Sequence, residues 1–233
     1  MEDKARNSMN TPEQIENSIV KKYKKTIWHR FIKAGREYSL VNDGDRIAVA
    51  VCGDIRSLLL AKCYERLHKY SETRFDIAFV GDSTGAPAFG LDVTETDDPE
   101  GFARDNGFNK LALPDCFDDC TEHILSTQLY EGRLEALPPC EVCEGLTLIR
   151  AGMLIRREDI AAFARYNALE DIAPVSAAAQ TAPILKARAL IAELAPDNKN
   201  LEINILRSCE EVNLETVLSY VKDGEIKSVL DDF

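Results

Sequence analysis

Ile47 to Cys52 (Ile-Ala-Val-Ala-Val-Cys) is the longest unbroken apolar run in the chain, and a polar Asn42-Asp43-Gly44-Asp45 turn precedes it. A run of strand length that is unbroken rather than alternating belongs to a strand covered on both faces, as in a parallel sheet. It falls far short of the roughly 20 residues needed to cross a bilayer. Arg46–Cys52 is therefore read as a strand, Gly53 to Arg56 as the loop after it, and Ser57–Leu67 as a helix. Phe75–Val80 reads as the next strand, giving a β-α-β unit with a right-handed crossover.

The pattern extends in both directions. Upstream, Ile15, Ile19, Tyr23, Ile27 and Phe31 recur at every fourth position, predicting one amphipathic helix of about 25 residues that ends near Tyr38. Downstream, Pro99–Asn106 reads as a short helix and Lys110–Leu113 as a third strand, followed by the loop Pro114–Asp119. Asp118–Tyr130 reads as a helix, Leu146–Ile149 as a fourth strand, and Arg157–Asn167 as a helix. Helical patterns cover 176–195 and 201–221, with Asp197-Asn198 as a break, while residues 81–97 suggest no element. Alternating strands and helices predict an α/β domain whose ligands lie at the carboxyl ends of the strands. The expected organisation is an N-terminal helix over 1–40, the α/β domain over 41–175, and a C-terminal helical segment over 176–233.

Charge narrows the partners. The net charge is −12, yet residues 1–40 carry nine basic against five acidic groups, so the acidity lies downstream. Such a surface repels a polyanion unless one basic face is set apart. Only the Lys21-Lys22-Tyr23-Lys24-Lys25 cluster, with Arg30, Lys33 and Arg36, offers one, or else it is a solvated helix face. Transfer RNA is thus an expected but disfavoured partner. Seven cysteines at irregular spacing, with no apolar segment near the start that would serve as a secretion signal, predict a reduced protein of the cytoplasm with no membrane span.

Several stretches occur together in a telling order: Lys25–Ala34, Gly44–Gly53, Asn109–Leu113, Phe117–Asp119, Leu146–Arg150, Arg157–Ile160 and the tail from Asn204–Ser208 to Asp231–Phe233. With them the chain resembles the PP-loop ATP pyrophosphatase superfamily, and within it the tRNA 2-thiocytidine biosynthesis proteins. The resemblance implies a three-layer α/β sandwich, here with a shortened sheet and an added N-terminal helix. It also implies ATP with magnesium, adenylylation of a tRNA base, and oligomers. Its nucleotide loop, Ser-Gly-Gly-Lys-Asp-Ser in the family, is here Cys52-Gly53-Asp54-Ile55-Arg56-Ser57. The positions placed against a nucleotide are Cys52, Gly53, Ser57 and Gly81. Asp54 brings a carboxylate toward phosphate oxygens; one such charge at about 4 Å costs on the order of 4 kcal/mol, roughly three decades of affinity. Ile55 removes the phosphate-binding lysine.

The family's Gly-His-His-x-Asp-Asp motif is replaced by Pro114-Asp115-Cys116-Phe117-Asp118-Asp119. Asp118 and Asp119 are either magnesium ligands or simply acids in the first turn of a helix. Between Val80 and Asn109 too few residues remain for the family's full helix, strand and Cys-x-x-Cys, and Val175 stands where its third cluster cysteine is expected. An iron–sulfur cluster is therefore not expected. Cys140-Glu-Val-Cys143 has zinc-knuckle spacing but lacks a second pair; Cys116, Cys120 and His123 at i, i+4 and i+7 could share one helix face and complete a composite site, yet a single Cys-x-x-Cys is weak evidence and zinc is not expected. Cys63 and Cys209 are read as core residues. The losses at Asp54, Ile55, Arg56, Asp115, Cys116 and Val175 predict a degenerate, non-catalytic relative that binds a partner or small ligand in a homo- or hetero-oligomer. The alternatives are a divergent ATP-dependent sulfurtransferase and, last, a metal or redox module at Cys140 and Cys143.

Overall fold

The computed structural model describes residues 9–172, 181–210, 212–222 and 224–228. Strand β1 (Arg46–Cys52) matches the apolar run, and its side chains divide between the two faces of the sheet. Ile47, Val49 and Val51 enter one apolar cluster; Ala48 and Ala50 enter another. Both faces are covered, which is why the run does not alternate. β1 pairs in parallel with β2 (Asp76–Asp82) on one side and β4 (Lys110–Ala112) on the other. The sheet order is β3-β2-β1-β4-β6-β5, in which β3 (Val93–Glu95) and β6 (Leu146–Ile149) are parallel and β5 (Cys140–Cys143) is antiparallel. The order reverses between β1 and β4, so the crevice outside their carboxyl ends is the natural ligand position.

Helix α3 (Ile55–Tyr70) follows β1 and supplies Leu58, Leu59 and Tyr64 to the larger cluster. The N-terminal helical layer packs over it. α1 (Pro12–Lys21) starts from a capping box between Thr11 and Gln14, and α2 (His29–Glu37) continues its direction after a π-helical turn, Lys24–Trp28. The single helix expected here is therefore interrupted. The Ser18 carbonyl accepts from both the Lys22 and Tyr23 N–H groups, at 3.0 and 2.9 Å. A repeat of four residues outruns the 3.6-residue α turn, and one wider turn restores the phase that keeps Ile15, Ile19, Tyr23, Ile27 and Phe31 buried. α4 (Ala86–Phe89) and α7 (Arg157–Tyr166) contribute Phe89 and Phe163 to the same layer. α5 (Pro99–Asp105) covers the opposite face through Ala103. Three layers result.

Four expectations need correction. Residues 81–97 are not empty: α4 and the edge strand β3 occupy them, each cut to about a single turn or pairing. β5 escaped notice because its hairpin turn to β6 is Glu144-Gly145, both with positive φ, rather than the usual Asn-Gly or Asp-Gly. α6 (Phe117–Tyr130) begins one residue early, and α8 (Ala182–Leu194) and α9 (Leu201–Glu210) pack against it. The helix expected to run to Val221 stops at Glu210. Asn213 turns the chain by accepting from the Glu215 N–H at 3.0 Å, and β7 (Ser219–Lys222) pairs with β8 (Glu225–Ser228) as an antiparallel hairpin. Val175 and residues 176–180 and 231–233 lie outside the described residues. Among the described residues no helix is long and apolar enough to cross a membrane.

Candidate functional site

At the carboxyl end of β1, Gly53 turns the chain with a φ of 68°. A Cβ there would strike the Asp82 carboxylate, so the tight loop requires glycine. Asp54 then caps α3: its Oδ1 accepts the Ser57 N–H at 2.8 Å. The Ser57 hydroxyl donates to the Asp54 carbonyl and accepts the Cys52 N–H, both at 3.0 Å. Asp54 is 3% exposed and Ser57 wholly buried. A helix N-terminus offers unpaired N–H groups and a positive dipole end, the position a phosphate would take. Here the chain's own carboxylate takes it.

Arg56 fastens this arrangement. Its Nη1 lies 2.5 Å from Asp119 Oδ2 and its Nη2 lies 3.7 Å from Asp54 Oδ2. Burial works against the guanidinium charge, but Asp119 and Asp54 outweigh it and hold the Arg56 pKa above its ordinary value. Asp119 also accepts the Cys116 N–H at 2.8 Å and pairs with Arg157 at 2.9 Å. Burial alone would raise the Asp119 pKa; Arg56, the Cys116 N–H and Arg157 reverse that and leave it below the usual carboxylate range. Asp118 accepts the Arg157 N–H at 2.7 Å. Glu122, one turn further and almost fully buried, is gripped by Arg157 at 2.6 Å and by Arg188 at 2.8 and 2.9 Å. Across the crevice Asp115 pairs with Arg150 at 3.0 Å, and burial raises its pKa despite that arginine. The result is an acid–arginine lattice joining the loop after β1, α3, the loop after β4, α6, the end of β6, α7 and α8, in which the buried Arg56 Nε has no hydrogen-bond partner.

The expected site residues are thus brought to one place with altered roles. Cys52, Gly53 and Ser57 close the loop. Gly81, with φ 129°, sits where any Cβ would collide with the Val51 carbonyl, so it serves the close approach of β2 to β1. Asp118 and Asp119 charge the first turn of α6 and bind arginine. Glu122, Arg150 and Arg157 were not foreseen as members of this lattice; the position of Arg150 at a strand end was the available signal.

The cysteines do not converge. Cys140 and Cys143 lie three residues apart on one strand, which places them on opposite faces of β5. Cys116 and Cys120 are buried, and burial pushes the Cys120 thiol up to about 12. Cys63 is a buried core thiol, whereas Cys209 is half-buried on a helix without buried residues, not in the core. Among the described residues no group of three or more His, Cys, Asp or Glu is placed to hold a metal ion. In the basic N-terminal face, Arg30 pairs with Asp159 and Lys33 with Glu37, while Lys21, Lys24 and Lys25 are exposed.

No protein-family model matches the chain. A tRNA-cytidine(32) 2-sulfurtransferase of Geotalea uraniireducens is 31% identical over 182 residues, covering 60% of this chain and 72% of the relative. The chain belongs to the tRNA-cytidine(32) 2-sulfurtransferase family of PP-loop proteins. The family relative from Geotalea daltonii is 27% identical and is matched over 92% of this chain and 99% of its own length. That alignment runs over 257 residues, more than the 233 present here, so segments of the relative have no counterpart in this chain. Among solved structures, the U34-tRNA thiolase NcsA from Methanococcus maripaludis with its [4Fe-4S] cluster aligns with a TM-score of 0.60. It shares 13% identity over 78% of this chain and 76% of its own, and thus supports the three-layer PP-loop fold.

Against this family the loop at 52–57 does not fit a triphosphate, because the Asp54 carboxylate sits at the α3 N-terminus and Arg56 is paired with it and with Asp119. Nor do the described cysteines form a cluster-holding donor set.

Proposed function

We propose that this family member has given up nucleotide activation and works by binding a partner or a small ligand. One observation carries the proposal: the Asp54 carboxylate caps α3 from within, clamped by Arg56 onto Asp119. A triphosphate would have to break that cap, displace a paired arginine and approach a buried carboxylate. Ile55, in the place of the family's lysine, offers no compensating charge. ATP with magnesium is accordingly bound weakly or not at all, and Asp118 and Asp119, committed to arginines, hold no magnesium. The protein works in the cytoplasm, and its short edge strand β3 suits a homo- or hetero-oligomer.

The second reading is a divergent ATP-dependent sulfurtransferase of the 2-thiocytidine type. It draws on relatives that carry that name and are matched along nearly their whole length. Pyrophosphate release by the full chain with Mg-ATP and tRNA separates the two. Release no greater than in a protein-free control is expected. Sustained release that Ser57→Ala abolishes would install the sulfurtransferase in its place.

A further inference from the structure

Gln14, Asn17 and Lys21 follow one another at i, i+3 and i+7, which lines them up along one stripe of α1, and Asn10 precedes them just before the Thr11 cap. The stripe forms one wall of an open cleft of about 230 Å³, completed by Ser18, Lys22 and Tyr166 at the end of α7. No acidic residue lines the cleft. Of the acids nearby, Glu16 pairs with Arg66 and Asp159 with Arg30, while Glu13 on α1 and Glu170 beyond α7 are exposed and form no ion pair among the described residues. Lys21 is exposed and forms no ion pair among the described residues, and the same holds for Arg165 beside Tyr166. The Lys22 ammonium rests 3.5 Å from the centre of the Tyr166 ring, its only partner among the described residues. In a chain of net charge −12, whose crevice arginines are consumed by its own carboxylates, these cations stand out as unspent.

The side-chain amides of Asn10, Gln14 and Asn17 offer both donors and acceptors. Asn10 Nδ2 already donates to Asn167 Oδ1 at 2.9 Å, and Gln14 Oε1 accepts the Thr11 N–H at 2.8 Å. That leaves the Asn10 carbonyl oxygen, the Gln14 NH₂ and the whole Asn17 amide for a ligand. Tyr166 is 44% exposed and supplies a flat apolar surface. Amides that read polar ring edges, an aromatic ring for stacking and lysines for an anion are complementary to a phosphorylated heterocycle.

We propose that the cleft between α1 and α7 binds one nucleotide, either free or as part of a single-stranded RNA. A base stacked on Tyr166 would displace the Lys22 ammonium from the ring and free it for the phosphate. The cleft shares no residue with the loop at 52–57 and stands independently of what that loop binds.

The test uses the full chain with a fluorescein-labelled single-stranded oligoadenylate of about eight nucleotides, read by anisotropy, with AMP as competitor. Binding is expected to weaken with added salt and to fall on the order of tenfold in Lys21→Glu/Lys22→Glu. Tyr166→Ala is expected to cost about five- to 100-fold, while Tyr166→Phe retains most of the affinity. The exposed lysine pair serves as the decisive variant should Tyr166→Ala prove unstable. Displacement by AMP would assign the site to a free mononucleotide; binding of the strand that AMP leaves intact would assign it to RNA. Binding of neither probe, or binding unaltered in the double lysine variant, overturns the proposal. Asp54→Gly/Ile55→Lys is expected to leave the lysine dependence intact, separating this site from the loop.

Discussion

The turn between β1 and α3 and the cleft between α1 and α7 are both helix-end surfaces rich in charge, but the charge is used differently. At the turn every arginine meets a carboxylate of the same chain: Arg56 with Asp54 and Asp119, Arg157 with Asp119 and Glu122, Arg150 with Asp115. At the cleft Lys21 meets none. Charge that is neutralised internally contributes to the fold and is lost to ligands; charge left open contributes little to the fold and remains available. A tally of acids and bases cannot distinguish these cases, since the acid-rich half of the chain holds the closed arginines.

The largest effect should come from reopening the turn. Asp54→Gly with Ile55→Lys removes the internal anion and restores a cation, and is expected to tighten pyrophosphate or ATP binding by about three decades in calorimetry. Glycine is nearly as good a cap as aspartate, so the helix should lose only a few tenths of a kcal/mol. No gain would mean that the Arg56–Asp119 clasp, rather than Asp54, blocks the loop. Next, Arg56→Ala takes from Asp54 its only cation among the described residues and leaves Asp119 to Arg157 and the Cys116 N–H, and is expected to cost about 3 kcal/mol in urea unfolding. A loss below about 1 kcal/mol would deny that the lattice holds the fold.

The third test is acid titration. The depressed Asp119 pKa implies stability that is fully present above the ordinary carboxylate value of about 4 and lost as pH falls through its lower folded value. Asp115, with a raised pKa, has the opposite sign: its ionisation costs stability as pH rises from that ordinary value toward its folded one. Asp119→Asn should therefore flatten the acid limb of the thermal-unfolding curve, and Asp115→Asn should not. The smallest effect belongs to the cleft. Lys21→Gln should change stability by less than about 0.5 kcal/mol, because no partner is lost. A larger drop would reveal that its charge is not free.

Much of the scaffold was legible because it depends on local rules. The apolar run at 46–52, the Leu146–Ile149 strand and the helix opening at Arg157 follow from periodicity and length alone. β5 was hidden by an unusual Glu-Gly turn, and the π-helical turn by a repeat that looks regular until its drift is counted. In the candidate site, Asp54 was recognisable as a misplaced carboxylate, but its capping of α3 was not, because a cap is defined by backbone geometry. The pairing of Glu122 with Arg157 and Arg188 joins residues 35 and 66 positions apart, beyond any local pattern. The stripe of amides on α1 was present in the sequence, yet it acquires meaning only once Tyr166 stands opposite.

Titration of Mg-ATP into the unmodified full chain by isothermal calorimetry tests the closed turn most directly. The Asp54 cap and its Arg56 clamp predict no saturable binding at the β1–α3 loop below about 1 mM, with any weaker heat sensitive to Lys21→Glu/Lys22→Glu. A low-micromolar dissociation constant that survives the lysine changes and disappears in Ser57→Ala would contradict it.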